Sequence, residues 1–274
     1  MITVNNESDI KKINNYNTFL TIIFRFYKKI NMSQNTTHLY LYLYFIPYIA
    51  YKLPKIIMSY NIKHFSFRGN DFGFNQKIKL LYNLTNVTLE YNNLYNQKIK
   101  LPYTLTHFTF KQHYNKTIKI PQYITKLNIC PNKKIKISQN TTHLTFNTLF
   151  NFKIKISQNI TRLTFCNCFN RKINIPHNVT YLVFGNNFNK KINIPNNVTH
   201  LNCGEKFNQQ IILPYNITHL IVNNYKNTQL ILPYNIKQLI INGHNDYLNI
   251  SQPYNIKHIT VKNNINSIII LYHH

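Results

Sequence analysis

Histidine is the side chain whose charge changes nearest neutral pH, and in this chain it recurs at one place in a pattern. His38, His64, His107, His143, His200, His219 and His258 each stand directly before Leu, Phe or Ile. Lys126, Arg162, Tyr181 and Gln238 hold the same place in the other copies. Such a column of imidazoles could take up protons or hold a metal. A metal site needs three or four ligands with supporting partners, and only His200 and His219 stand in directly consecutive copies. No metal is assigned. The set His107, Lys126, His143, Arg162, Tyr181, His200 and His219 reads instead as a candidate outward face for a protein partner.

Other chemistry is sparse. The cysteines are Cys130, Cys166, Cys168 and Cys203. Cys166-x-Cys168 has no second pair to complete a zinc site, so Cys168 is assigned to a turn. Four cysteines in 274 residues make no disulfide framework and favour a reducing compartment. The acids are Glu7, Asp9, Asp71, Glu90, Glu205 and Asp246, with no carboxylate pair, Ser-His-Asp set or Gly-rich phosphate loop. The reading is no catalytic residue, no cofactor and no enzyme.

Charge is the second chemistry. Lys and Arg number 32 against six acids, a formal net charge of +26. Asn, Ile, Lys and Tyr share AT-rich codons, but Glu has one too, so codon drift alone does not explain the imbalance. Fifteen of the basic residues fall at three recurring positions: Lys77, Lys79, Lys98, Lys100, Lys116, Lys119, Lys133, Lys134, Lys136, Lys153, Lys155, Arg171, Lys172, Lys190 and Lys191. Stacked, they form a basic ridge that an anionic partner would relieve, or a solvated edge that blocks sheet-to-sheet aggregation.

A repeat positions both sets. It begins at Phe74, Tyr95, Tyr114, Pro131, Phe150, Phe169, Phe188, Phe207 and Lys226, so the spacings are 21, 19 and 17, then 19 five times. The second position is always Asn: Asn75, Asn96, Asn115, Asn132, Asn151, Asn170, Asn189, Asn208 and Asn227. The fifth and seventh positions are Ile or Leu and the eighth is usually Pro. Degenerate copies at Phe26–Leu41, Tyr60–Phe67 and Tyr254–Val261 extend the array to residues 26–261, with a register slip expected at 42–59.

Each unit holds two alternating stretches, Lys-Ile-Lys-Ile as at 134–137 and Thr-His-Leu-Thr-Phe as at 142–146. Period two with β-branched and aromatic residues signals strands, and Pro-x-Asn and Phe-Asn signal turns. One such unit cannot bury its own apolar edge, so the units must stack, pairing equivalent strands in parallel. The expected fold is a repeat β-solenoid of right-handed coils of about 19 residues with parallel β-sheet faces. Ten coils would make a rod of roughly 50 Å. The recurring Asn is read as a structural ladder that satisfies backbone groups at the bends.

The pattern Phe-Asn-x-x-Ile-x-Ile-Pro-x-Asn-Val-Thr-x-Leu-x-Phe, as from Phe169 and Phe188, resembles the FNIP repeat. That family is similar to leucine-rich repeats and is known mainly from social amoebae and giant DNA viruses. The resemblance implies a leucine-rich-repeat-like protein-interaction scaffold with no catalytic activity, acting on host proteins if viral. Some members carry an F-box ahead of the repeats. Residues 1–25 are shorter than one, so a ubiquitin-ligase adaptor lacking a recognisable F-box is a third reading.

Residues 1–25 are expected to be an N-terminal cap or extension, with Asn17–Phe26 covering the first coil, and 262–274 a C-terminal cap, with Ser267–Tyr272 closing the last. Either end could instead be an oligomer contact, and the oligomeric state stays open. Met1–Lys12 does not read as a secretory signal. Leu39–Tyr51 is too short for a membrane helix and is broken by Pro47. The Asn-x-Thr triplets come from the repeat. The expectation is an intracellular protein, not secreted, with an unidentified protein partner, or alternatively nucleic acid or another polyanion bound on the ridge.

Overall fold

The computed structural model describes residues 2–4, 6–14, 18–24, 30–43, 56–69, 77–90, 97–114, 117–131, 135–147, 149–223, 230–242, 250–251, 258–262 and 267–271. The chain forms two compact units, residues 1–140 and 141–274. The division falls inside the repeat that begins at Pro131.

In the first unit the strands are β1 (Ile2–Val4), β2 (Phe19–Phe24), β3 (Ile30–Asn31), β4 (His38–Leu43), β5 (Ile56–Ile57), β6 (His64–Gly69), β7 (Asn86–Glu90), β8 (His107–Tyr114) and β9 (Lys126–Pro131). β1, β2, β4, β6, β7, β8 and β9 pair in that order, all parallel. Residues 1–25 thus supply two rungs of the same ladder, with Leu20 opposite Leu39. A short 3-10 helix, Glu7–Lys12, follows β1, and Lys12 is paired with the buried Asp9 at 2.5 Å.

In the second unit the strands are β10 (His143–Phe146), β11 (Arg162–Thr164), β12 (Tyr181–Val183), β13 (His200–Asn202), β14 (His219–Asn223), β15 (Leu230–Ile231), β16 (Gln238–Asn242), β17 (Ile250–Ser251), β18 (His258–Lys262) and β19 (Ser267–Leu271). β10 to β14, then β16 and β18, pair in parallel in strict register. β19 turns back and pairs antiparallel with β18. An antiparallel return needs only a short connection, whereas another parallel rung needs a whole coil. Tyr272 lies outside the described residues, as does most of the 42–59 slip.

The core sits behind the ladder. Leu163, Leu182, Leu201 and Leu220 point inward from the strands and are buried. Behind them the rings of Phe146, Phe165 and Phe184 each stack on the Phe that opens the next repeat, with centroids 3.9–4.2 Å apart. Rings of successive coils stack as well: Phe150, Phe169, Phe188 and Phe207 lie 5.9–6.0 Å apart, within 7° of parallel. A single coil has no such neighbour, so this burial exists only in the stack.

Polar ladders tie the bends. Asn170 N–H donates to Asn151 Oδ1 at 3.0 Å, Asn189 N–H to Asn170 Oδ1 at 3.0 Å, and Asn208 N–H to Asn189 Oδ1 at 3.3 Å. Each side chain accepts the main-chain donor of the next coil, which a turn would otherwise leave unpaired. Asn75, Asn96, Asn115, Asn132 and Asn227 lie outside the described residues.

The two alternating stretches behave differently. The Leu-x-Phe stretch forms the ladder. The Lys-Ile-x-Ile stretch keeps its alternation, as in exposed Lys153 and Lys155 around half-buried Ile154, but forms no strand from 77 to 213 among the described residues. Among the described residues, two-residue ladders appear on this side only at β3–β5 and β15–β17. In the second unit equivalent rings are 4.1 Å apart outside the sheet at His200–His219, 5.4 Å just inside at Phe165–Phe184, and 6.0 Å deeper at Phe169–Phe188. Ladder bonds need an inter-strand spacing of about 4.8 Å, and on this side they close only at Ile30–Asn31 with Ile56–Ile57 and Leu230–Ile231 with Ile250–Ser251 among the described residues.

Candidate functional site

The outward face of the second unit's ladder is built from two columns. One runs His143, Arg162, Tyr181, His200, His219 and Gln238; the next runs Thr145, Thr164, Val183, Asn202, Ile221 and Ile240. The first column is packed ring on ring. The Arg162 guanidinium lies 4.3 Å from the Tyr181 ring centre, a cation–π contact. Tyr181 meets His200 at 5.6 Å, and His200 stacks on His219 at 4.1 Å and 6°. A shallow cavity of about 210 Å³ sits over this face, with Tyr181, Val183, His200, Asn202, His219 and Ile221 in its lining.

Threonines fix the rings. Thr199 Oγ1 lies 2.9 Å from His200 Nδ1, and Thr218 Oγ1 2.8 Å from His219 Nδ1. The same hydroxyls donate to the carbonyl one coil back, Thr199 to Thr180 and Thr218 to Thr199, each at 3.1 Å. The Nε2 edges are thereby held side by side. Lone pairs in the planes of stacked rings run parallel and do not converge on one ion. Among the described residues no three of His, Cys, Asp and Glu gather to ligate a metal.

Burial, then the neighbouring His219 and Arg162, holds His200 below the usual imidazole pKa. Burial, then His64, does the same for His38. A folded-state value below the unfolded one of about 6.5 means the unfolded chain binds more protons in that window. The stability from the neutral rings is therefore full above about pH 6.5 and is lost as pH falls through the folded values. Urea midpoints should fall between pH 7.5 and pH 5, and His200→Gln should flatten that slope. An unchanged slope would show the rings do not titrate on folding.

The first unit carries the same column as Phe19, His38, His64, Asn86, His107 and Lys126. His38 stacks on His64 at 4.0 Å and 5°, and on Phe19 at 4.1 Å. The His38–His64 neighbourhood is hidden in sequence, because 26 residues separate the two across the register slip. Two rungs on, Glu90 is held by Arg68 at 3.4 Å and by Lys111. Its charge is spent on this face.

The ridge lysines lie on the opposite, unladdered stretch. Lys77, Lys79, Lys98, Lys100, Lys119 and Lys136 are exposed in the first unit; Lys153, Lys155, Arg171, Lys172 and Lys191 are exposed in the second, with Lys190 half-buried. Arg171 Nε donates to Asn151 O at 3.2 Å. Lys116, Lys133 and Lys134 lie outside the described residues. Lys119 and Lys136 also line a cleft of about 690 Å³ with Ile118, Ile120, Ile135 and Ile137.

A second asparagine ladder went unread in the sequence. At the Pro-x-Asn bend, Asn178 Nδ2 donates to Gln158 O, Asn197 to His177 O and Asn216 to Asn196 O, each at 2.9 Å. These asparagines belong to Asn-x-Thr triplets, and their amides are engaged at the bend. The signal was present in their recurrence beside Pro. The cysteines are free thiols. Burial pushes Cys203 up to about 12 and raises Cys166, whose Sγ also donates to Phe150 O at 3.3 Å. Cys168 sits in a turn. Among the described residues, no helix is long and apolar enough to cross a membrane.

Stacked coils of about 19 residues, each adding one strand to a parallel ladder, define a leucine-rich-repeat-like β-solenoid. CroV588, described as a novel circular leucine-rich-repeat protein, is similar to it in fold, with a TM-score of 0.52 at 22% identity over 91% of this chain and 53% of its own. The chain therefore spans about half the length of CroV588. Residues 169–206 match the FNIP Repeat family model. No curated protein sequence matches the chain.

Proposed function

We propose that this chain is a non-enzymatic protein-interaction scaffold that acts inside the cell, in a host cytoplasm if the chain is viral. The supporting observation is the outward face of the second unit's ladder. There a ring stack from Arg162 to His219 stands beside a column in which the apolar Val183 and Ile221 flank Asn202. Rigid aromatic and Arg anchors beside apolar ground are what protein interfaces use as energetic centres. The backbone beneath is paired on both sides, so partners meet side chains and not an open sheet edge.

Tyr181→Ser with Ile221→Asp should abolish capture of the chain's specific partner. Each anchor removed from an interface centre costs about 2 kcal/mol or more. Parallel pulldowns, with melting curves to show both proteins folded, check this. Proteins retained equally by the wild type and the double variant would remove this face as the binding surface.

A further inference from the structure

We propose that the first unit binds single-stranded nucleic acid across a row of tyrosines flanked by lysines, on a surface distinct from the ladder face. Tyr60, Tyr82 and Tyr103 occupy the same bend in three consecutive coils, and Tyr123 sits one residue further along the next. They are 61%, 67%, 67% and 52% exposed. Tyrosine ordinarily buries most of its ring, so four exposed in succession form a surface.

Two of the bends are tied to the next coil. Asn83 Nδ2 donates to Tyr60 O, and Thr104 Oγ1 donates to Tyr82 O at 2.6 Å. These bonds tie the main chain at Tyr60 and Tyr82 to the next coil. The exposed rings leave their faces open, and a base can stack on such a face only where it is not already stacked in a duplex, which favours single strands.

Charge complements the row. Lys79, Lys100 and Lys119 are exposed and lie three or four residues before Tyr82, Tyr103 and Tyr123, so each is within about 14 Å of its ring's Cα. Glu90, the only acid from 74 to 191, is neutralised on the ladder face by Arg68 and Lys111. Aromatic rungs beside a basic track are how single-strand binders combine stacking with phosphate contacts. The second unit supplies an internal control. Tyr215 and Tyr234 occupy the same bend at 65% and 62% exposure, but the preceding stretches carry Gln209, Gln210, exposed Ile212 and exposed Ile231 in place of lysine.

The test uses the whole chain and fluorescein-labelled U12, dT12 and a 12-base-pair DNA duplex, titrated by anisotropy at 50, 100 and 200 mM salt. U12 and dT12 should bind more tightly than duplex. Tyr82→Ala and Tyr103→Ala should each weaken single-strand binding roughly 5- to 150-fold, and Tyr103→Phe should retain it. Lys79→Gln, Lys100→Gln and Lys119→Gln together should lower the log–log salt slope by about 2. Tyr215→Ala with Tyr234→Ala, and the ladder-face variant Tyr181→Ser, should leave affinity unchanged. Equal loss from the Tyr215/Tyr234 pair, duplex bound as tightly as single strands, or indifference to the Tyr82 and Tyr103 changes would overturn the proposal. Exposed side chains are altered throughout, and identical melting curves confirm that each variant folds.

Discussion

Phe188→Ala will destabilise the second unit by about 3–5 kcal/mol, the range for deleting a buried aromatic from a packed core. Phe188 is fully buried. Its ring stacks on Phe184 at 3.9 Å within the coil, on Phe169 at 6.0 Å on one side and on Phe207 at 6.0 Å on the other. The change removes apolar area and also leaves three rings without a face. The surrounding coils are clamped by the Asn and Thr ladders, so the cavity cannot collapse cheaply. Urea denaturation should show a midpoint lowered with little change in slope. Phe188→Leu should recover much of the loss, since it refills the volume without the ring contacts. A loss below about 1 kcal/mol would mean the stack is looser than its geometry.

Gly204→Ala should be nearly as damaging for a different reason. Gly204 has φ +78°, where an L side chain is strained. A Cβ there would lie 2.2 Å from the carbonyl oxygen of Gly185, one coil back. The strain alone costs about 1–3 kcal/mol, and the clash forces two hydrogen-bonded coils apart. Together they place the variant on the order of 3 kcal/mol or more below wild type. Gly204→Asn separates the two causes. Asn accepts positive φ more readily but keeps the Cβ, so it should remain strongly destabilised. If Gly204→Asn is as stable as wild type, backbone conformation was the whole effect and the coils do not touch there. Thermal unfolding of the three proteins decides it.

The column containing Gly204 illustrates how far the pattern of residues carries. Asn147, Cys166, Gly185 and Gly204 recur at intervals of 19, and nothing in those identities announces that the main chains of two coils meet there. The period, the inward Leu and Phe positions, the outward His column and the second-position Asn all follow from spacing and alternation. The ladder forms with the register the repeat implies, Leu163 to Leu182 to Leu201 to Leu220. The site is legible in the same measure. Which residues face outward could be read; that His38 meets His64, that Glu90 is spent between Arg68 and Lys111, and that the bends at Tyr60 and Tyr82 are tied to the next coil could not. Each depends on which copies become neighbours across irregular spacings.

The role of Lys-Ile-x-Ile separates the two levels most clearly. Its period-two alternation matches a strand as well as Leu-x-Phe does, and local propensity cannot tell them apart. The distinction arises from stacking. Among the described residues the Leu-x-Phe side of successive coils closes a continuous ladder within each unit, whereas the Lys-Ile-x-Ile side closes one only at β3–β5 and β15–β17. Side-chain alternation is a property of one chain segment, set by its pleat. Ladder pairing is a property of the distance between two segments, and that distance is set by everything packed between them.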